Sequence, residues 1–566
     1  MKRFIPLFLL AAAGLSAATF DVRDYGAKGD GITLDSPAIN AAIEAAAAAG
    51  GGTVHFPAGR YLSFSIRLKD DIALYLDQGC TLVAAVPSPG FGQYDLPEAN
   101  AADQYQDFGH SHWQNSLIWG IGLKNISILG PGLIDGTKGL SRGGPGAPTK
   151  PAADGKVAAG QGMPREASEA FRNSMVGQGN KAIALKLCRN VVLRDFTMLS
   201  GGHMSMLATG VDNMTVDNLK IDTIRDGLDI DACRNVRVAN CSVNSPHDDG
   251  ICLKSSFGLG EARACENITI TNCQVSGYDV GTLLDGTFKR TMERAPDRDG
   301  PTGRIKCGTE SNGGFKNITI SNCVFDRSRG LALETVDGGV IEDVTISNIT
   351  MREVSNSPLF LRLGSRARGP GNPPAGVLRR VTISNVVVSD ADSRYASIIA
   401  GVPGHPVEDV RLSNIRIVYR GGLTMQQVAE QPSALTNHFF QRRPGQMAQM
   451  PAEQPTSEPR EPFAVPENEA NYPEPSMFGL LPAYGLFVRH AKNISVSNVE
   501  VSFAKEDTRP AIVLMDVTGA DFDSIRAQRA GGAAFFELRG VNAFTARNCP
   551  TLSDTQRTAV VQETLL

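Results

Sequence analysis

Two clusters of aspartates are the residues of this chain best suited to do chemistry. Asp226 and Asp229 form the first cluster, and Asp248 and Asp249 follow one repeat of 22 residues further on. If each repeat is one coil of a stacked structure, neighbouring strands lie about 4.8 Å apart, and Asp226 and Asp248 stack on one face. Stacked carboxylates repel one another, so one of them must take up a proton or bind a cation.

Both outcomes describe a working site. A shared proton serves general acid–base catalysis, and glycoside hydrolysis in particular needs one carboxyl group as acid and a second as base or nucleophile. A bound cation would instead make the cluster a calcium site, because calcium prefers carboxylate oxygens. Acidic residues without a function usually form a solvated strand face. The apolar neighbours of these clusters, among them Cys233 and Ile251, argue against that interpretation.

The chain around the clusters repeats a short pattern, in which an asparagine precedes alternating apolar residues. Near-copies of the pattern begin at Lys124, Arg189, Asp212, Arg234, Glu266, Lys316, Glu342, Arg379, Glu408 and Lys492. Their commonest separations, 22 to 37 residues, fit a parallel β-helix with three strands in each coil. The asparagines are predicted to bond within turns and to stack on one another. Cys241, Cys273 and Cys323 follow them in register and are predicted to stack as small apolar side chains.

The N-terminal sequence predicts an export signal followed by a cap for the solenoid. Residues 1–18 combine a basic start, an apolar run too short to span a bilayer, and small residues for cleavage, so we expect a secreted or periplasmic protein. Ser36 is the predicted N-cap of a helix, Pro37 its first residue, and Gly50 ends it. Because a solenoid exposes apolar core at its ends, this helix is predicted to be the N-terminal cap.

Residues 19–566 are predicted to form one β-helix domain with three long insertions, near 137–178, 287–303 and 425–475. These segments interrupt the regular spacing of the repeats. Loops inserted in a solenoid often lie on its binding face, so they are predicted to wall a cleft. Insertions that block one end of the cleft would favour attack on chain ends.

The two aspartate motifs resemble those of glycoside hydrolase family 28, the polygalacturonases and rhamnogalacturonases. The motifs are Asp226-Gly227-Leu228-Asp229-Ile230-Asp231 and Asp248-Asp249-Gly250-Ile251-Cys252-Leu253-Lys254-Ser255. The repeats agree with that family, and the N-terminal segment resembles the pectin-lyase-like superfamily. The resemblance implies an all-β fold, a single-stranded right-handed parallel β-helix, and hydrolysis of a pectic glycosidic bond with inversion. It implies that Asp248 is the general acid and that Asp226 and Asp249 bind and activate the water, with no metal or cofactor. Lys254 matches a family position and is a candidate for contacting an acidic sugar, with Asp229 beside it.

The sequence departs from the family pattern at several positions. Ile224-Arg225 replaces Asn-Thr, His247 replaces Gly, and no histidine stands where the Gly-His-Gly motif is expected. The position expected for Arg-Ile-Lys, after the repeat at Asn317, holds Ala332-Leu333-Glu334. In polygalacturonases that motif holds a sugar carboxylate, so its displacement favours rhamnogalacturonan, in which the neighbouring sugar can be uncharged rhamnose.

Three other residues are candidates for contacting substrate. Arg304 and Lys306 form a literal Arg-Ile-Lys motif about one coil early, where solvated strand charges are the expected interpretation. His203, one coil before Asp226, is predicted either to line the groove or to be a structural histidine.

Composition limits the partners of the protein. With 55 basic and 59 acidic residues there is no electrostatic case for nucleic acid, and no later apolar run is long enough to span a membrane. The expected partner is a pectic polysaccharide or oligosaccharide, bound by a monomer. Two other functions stay open, a calcium-dependent lyase of the pectate-lyase type and a non-catalytic carbohydrate-binding β-helix protein.

Overall fold

A computed structural model describes residues 18–143, 165–295, 299–436 and 458–566. It is a right-handed parallel β-helix, as the sequence predicts, with three strands in each coil. The predicted export signal lies outside the described residues except for Ala18. Within the described part of the chain, no helix is both long and apolar enough to cross a membrane.

The strands stack into three parallel ladders, which we call A, B and C. Ladder A contains Ile66–Arg67, Ser116–Ile121, Lys181–Lys186, Met204–Thr209, Asp226–Asp231, Ile251–Ser255, Ile305–Ser311, Leu331–Thr335, Leu359–Leu363 and Ser397–Ala400. Ladder B contains Thr19–Asp21, Gly52–Phe56, Ile72–Leu76, Lys124–Leu129, Arg189–Arg194, Asp212–Asp217, Arg234–Ala239 and Cys265–Thr271. Ladder C contains Asp30–Leu34, Gly59–Ser63, Cys80–Ala84, Leu133–Asp135, Thr197–Leu199, Lys220–Asp222, Ser242–Asn244 and Gln274–Ser276.

In the later coils, ladders B and C merge into long strands. These are Phe315–Asp326, Val340–Arg352, Val377–Ala391 and Val407–Gly421. The last coils are formed by Leu486–Lys505, Ile512–Asp523, Arg526–Ala527 and Phe536–Arg547. Thr555–Leu565 pairs antiparallel with Phe536–Arg547 and ends the sheet. The short helices are Val22–Tyr25, Ser36–Ala48, Asp103–Tyr105, Phe108–Ser111, Arg165–Ser174, Met425–Glu430 and Pro475–Phe478.

The apolar residues of each repeat fill the interior of the helix in exact register. Val191, Met214, Val236 and Ile268 follow one another up ladder B and are all buried. All ten cysteines lie in the described part of the chain as buried free thiols. The prediction that Cys241, Cys273 and Cys323 serve as small apolar side chains is therefore confirmed.

The repeated asparagines form a hydrogen-bonded ladder along the outside of the turns. The side-chain amide of Asn235 donates to Asn213 at 3.3 Å, and that of Asn267 donates to Asn235 at 3.1 Å. Their φ angles lie near 57°, in the left-handed region that asparagine tolerates better than most residues. The predicted stacking of these asparagines is confirmed, but each lies at the start of a ladder B strand, next to the turn and not within it.

The predicted N-terminal helix caps the solenoid, although its first residue differs from the prediction. The helix Ser36–Ala48 buries Ile39, Ala42, Ile43 and Ala46. Its N-cap is Asp35 rather than Ser36, because the Ser36 hydroxyl accepts a hydrogen bond from the backbone of Phe64 instead. The Asp35 carboxylate accepts from the backbone of Lys28 and Gly29 and so holds the glycine-rich turn.

All three predicted insertions occur at the same corner of the solenoid, between a strand of ladder C and the next strand of ladder A. A fourth segment at this corner, residues 85–115, was not recognised as an insertion in the sequence. The strands of ladder A from Lys181 to Ala400 are buried on both faces, apart from Lys186, whereas the outer residues of ladder B are exposed or half-buried. Described parts of the inserted segments contact the outer face of ladder A, as Trp113 does through Thr209 and Glu474 through Arg304, whereas residues 144–164, 296–298 and 437–457 lie outside the described residues.

Candidate active site

Three aspartates from adjacent coils meet on ladder A. Asp226 begins the strand Asp226–Asp231, and Asp248 and Asp249 precede the next strand, Ile251–Ser255. The backbone amide of Gly227 donates to the carbonyl of Asp249 at 3.0 Å, which fixes the register of the two coils. Carboxylate oxygens of Asp226, Asp248 and Asp249 lie within 4.8 Å of one another. The structure thus brings together the three residues predicted to be catalytic.

Asp249 is held as a carboxylate by two buried cations. Arg304 Nε donates to its Oδ1 at 2.7 Å, and Lys306 Nζ lies 3.2 Å from its Oδ2. Burial acts to raise the pKa of Asp249, but the charges of Lys306 and Arg304 outweigh burial and hold that pKa below its ordinary value. Asp249 therefore stays ionised to lower pH than an ordinary aspartate.

Asp226 is in the opposite electrostatic situation. Its side chain is buried, and burial followed by repulsion from Asp248 raises its pKa well above the ordinary value, although Lys254 lies 4.0 Å away. Asp226 therefore keeps its proton to higher pH than an ordinary aspartate, beside Asp249, which loses its proton more readily. Two carboxyl groups with pKa values pushed in opposite directions are the arrangement that acid–base catalysis needs.

Asp248 is half-buried and is the most accessible of the three aspartates. Its side chain is 25% accessible, against 4% for Asp226 and 2% for Asp249. Arg225 donates to it at 2.5 Å. This arginine is one of the departures from the family pattern, and here it faces the mouth of the site.

Lys254 and Asp229 form the floor of the site. Lys254 Nζ lies 3.9 Å from Asp229 and 3.4 Å from Glu310, and all three side chains are buried. Burial raises the pKa of Asp229 to about 7. The cation predicted to contact an acidic sugar is thus engaged with carboxylates of the protein.

His203 lies at the same site, next to residues that sequence reasoning missed. Its Nε2 is 3.8 Å from Asp107, and the neighbouring Met204 pairs in register with Asp226. Asp107 also accepts a hydrogen bond from His110 Nδ1 at 2.6 Å, and His110 Nε2 lies 3.8 Å from Asp229. Asp107 belongs to the unrecognised insertion 85–115, so no repeat in the sequence pointed to it.

The expectation that Arg304 and Lys306 are solvated strand charges is wrong. Both side chains are almost fully buried. Lys306 lies one coil after Asp249, and it pairs in register with Cys252 of the coil that contains Asp249. One coil later, Ala332 pairs in register with Lys306. Glu334 follows two residues along the same strand, and its carboxylate lies 3.5 Å from the ammonium group of Lys306. The insertion near 287–303 interrupts the regular spacing of the repeats before Arg304. The sequence therefore does not show how close these cations come to Asp249.

The third insertion also contributes to the site. Glu474 accepts from Arg304 at 2.6 Å and lies 3.5 Å from Arg329. Tyr472 accepts from Lys306 at 3.4 Å. These contacts, together with those of Asp107, bring two inserted segments to the three aspartates, and we call this group of residues the pocket.

The charge balance of the pocket fits proton transfer better than calcium binding. Calcium takes six to eight oxygen ligands. The three carboxylates have four cationic side chains within 4.0 Å, namely Arg225, Lys254, Arg304 and Lys306. These side chains supply the neutralising charge that a metal ion would otherwise bring.

Comparison with known proteins first defines the class. A family model described as "Rhamnogalacturonase A/epimerase, pectate lyase-like" matches residues 19–88. The structure of the family 28 exopolygalacturonase of Yersinia enterocolitica is similar, with a TM-score of 0.58, 18% identity and coverage of 89% of this chain and 78% of that one. The chain therefore has the pectin-lyase-like β-helix fold.

Sequence relatives include polygalacturonases. A probable polygalacturonase of Vitis vinifera is 22% identical over 444 residues, which cover 73% of this chain and 77% of that protein. The exo-poly-alpha-D-galacturonosidase of Dickeya chrysanthemi is 26% identical over 242 residues, 42% of this chain and 34% of that protein. The resemblance to glycoside hydrolase family 28 is confirmed, and polygalacturonases are homologues of this chain.

Proposed function

We propose that the protein hydrolyses an O-glycosidic bond in a pectic polysaccharide or oligosaccharide. The observation that carries this proposal is the group of three aspartates from adjacent coils, in which Arg304 and Lys306 hold the pKa of Asp249 low while burial raises that of Asp226. Its homologues among polygalacturonases support the substrate class. Export, as residues 1–18 predict, would bring a monomeric enzyme to such polymers.

Each aspartate has a distinct role in the proposal. Asp248, the most accessible of the three at the pocket mouth, gives a proton to the leaving glycosidic oxygen, as the family resemblance implies. Asp226, whose pKa is raised, resupplies that proton to Asp248. Asp249, with Asp226, binds the attacking water, and Asp249 accepts its proton. No metal or cofactor enters the reaction.

Attack by water on the face opposite the leaving oxygen inverts the anomeric centre. Hydrolases with two carboxyl groups roughly 6.5–9.5 Å apart invert, and those with groups about 5 Å apart retain. Carboxylate oxygens of the three aspartates lie within 4.8 Å of one another, a separation closer to that of retaining enzymes. Inversion is supported by the family resemblance and by Asp249, whose two ion pairs make it a poor nucleophile. Proton NMR of the first product anomer tests the assignment.

Two features of the pocket bear on the substrate. Ladder A is covered on both sides of the aspartates, by residues 85–115 and by the segment that carries Glu474, so the pocket suits the end of a chain or an oligosaccharide. The cations nearest Asp249 are already paired with protein carboxylates, which supports rhamnogalacturonan over a polymer of acidic sugars alone.

A side-by-side digest of rhamnogalacturonan and polygalacturonan tests the function. Reducing ends and the ultraviolet absorbance of unsaturated product are followed with and without a chelator. Hydrolysis predicts new reducing ends, no absorbance and no effect of the chelator. Absorbance that a chelator removes would make the protein a calcium-dependent lyase, and binding without turnover would make it a carbohydrate-binding protein.

A further inference from the structure

Three cationic side chains line one side of the pocket, beyond Asp249. Arg304 immediately precedes the strand Ile305–Ser311 of ladder A, Lys306 lies on that strand, and Arg329 precedes the next strand. All three are buried. Buried cations require anionic partners, because an uncompensated buried charge is strongly unfavourable. Two of the partners, Asp249 and Glu334, belong to the solenoid itself.

The third partner, Glu474, comes from the insertion. Its carboxylate lies 2.6 Å from Arg304 and 3.5 Å from Arg329. Glu474 occupies the N-cap position of the helix Pro475–Phe478, yet its side chain makes no capping bond. The carboxylate is turned toward the cations of the pocket and does not stabilise its own helix.

The segment that carries Glu474 is held firmly against ladder A. Buried Arg489 donates to the carbonyls of Val465 and Pro466 at 2.6 and 3.0 Å, and buried Arg362 donates to that of Glu467 at 2.9 Å. The segment continues into Met477 and Phe478, which are part of an apolar cluster with Phe360 and Phe487. Glu474 is therefore a fixed part of the pocket wall.

We propose that Glu474 determines specificity by excluding an acidic sugar from the position beside the scissile bond. Three cations face three carboxylates there, so a uronate entering this position finds no unpaired cation and meets the negative charge of Glu474. An uncharged sugar has no such penalty. The inference rests on the proposed function. It assigns a neutral sugar to this side of the pocket.

The test is the substitution Glu474→Gln, which keeps the shape of the side chain and removes its charge. The ratio of kcat/KM on an oligogalacturonide to kcat/KM on a rhamnogalacturonan oligosaccharide is expected to rise at least about tenfold, mainly through KM, since one like-charge contact of this kind is worth about 1.4 kcal/mol or more. Glu469→Gln is the matched control on the same segment, because Glu469 lies outside the Arg304 cluster and contributes its backbone carbonyl to Ser365. The inference would be overturned if kcat/KM fell equally on both substrates in E474Q, so that their ratio did not change.

A binding measurement separates this inference from the proposed function. Calorimetry with galacturonic acid, and with rhamnose for comparison, needs no turnover. Tighter binding of galacturonic acid by E474Q than by the wild type supports the inference even if wild-type protein cleaves neither polymer, and equal binding refutes it. If E474Q does not fold, Glu474→Asp retracts the same charge by one methylene. E474D is then expected to shift the ratio in the same direction by a smaller factor, and no shift in E474D would overturn the inference.

Discussion

At the scale of single residues, the proposed chemistry depends on the unequal environments of Asp226 and Asp249. One carboxyl group is buried beside other carboxylates, and the other is buried beside an arginine and a lysine. Burial alone would raise both pKa values, so the two cations account for the difference. Arg304 and Lys306 are therefore positioning residues. They orient the carboxylate of Asp249 and lower its pKa.

Replacing any of the three aspartates by asparagine should remove most of the activity. Asp248→Asn, Asp226→Asn and Asp249→Asn are each expected to lower kcat by about 10³-fold, within the range for a lost acid or base. Initial rates of reducing-end release provide the measurement. Circular dichroism and the thermal midpoint control for folding, and Asp248→Asn with unchanged activity would contradict the assignment.

The pH profile should reflect the same two environments. Activity requires Asp249 to be ionised and Asp226 to be protonated, so the acid limb lies below the ordinary aspartate pKa and the alkaline limb lies well above it. Arg225 lowers the pKa of Asp226, so Arg225→Gln is expected to move the alkaline limb to higher pH and to leave the acid limb in place. Rates across the pH range, at substrate concentrations well below KM, give both limbs. An alkaline limb that moves to lower pH in R225Q would contradict the account.

At the scale of elements, the asparagine ladder fixes the start of the ladder B strands, just after the strands of ladder A that carry the site. Asn235 has a φ of 56°, donates to Asn213 and accepts from Asn267. Asn235→Ala should destabilise the protein by about 1–2 kcal/mol, because alanine is strained in the left-handed region and leaves both bonds unmade. Urea unfolding measures the change. Asn235→Gly relieves the strain but not the lost bonds, so a smaller loss is expected, and equal losses would show that backbone conformation is not the cause.

At the scale of the whole molecule, the covered face of ladder A predicts attack on chain ends. A long pectic polymer should lose viscosity slowly relative to the release of reducing ends, with small products present from the first minutes. Viscometry beside product chromatography makes the comparison, with an endo-acting pectinase as the reference. Rapid loss of viscosity with few reducing ends would show that the pocket admits internal bonds.

The packing of the whole molecule explains which features the sequence predicts well and which it does not. Alternating apolar residues and repeated asparagines are local signals, so the ladders and the cap follow from them. The predicted stacking of Asp226 on Asp248 is wrong by one residue, because Leu228 pairs in register with Ile251, an offset of 23 residues that sets Asp226 opposite Asp249. The ion pairs of Arg304 and Lys306 with Asp249, and the arrival of Asp107 and Glu474, depend on non-repetitive segments. Their path is set by long-range packing, as in the clamp of Arg489 on the backbone of residues 465 and 466. No short pattern encodes that packing.

The central claim is that water is added across a glycosidic bond at the three aspartates. The most direct test is mass spectrometry of the products formed from a rhamnogalacturonan oligosaccharide in heavy-oxygen water. The account predicts one heavy oxygen at each new reducing end, and no such product from the Asp249→Asn variant. Unlabelled products lighter by one water, which are formed by elimination, would contradict it.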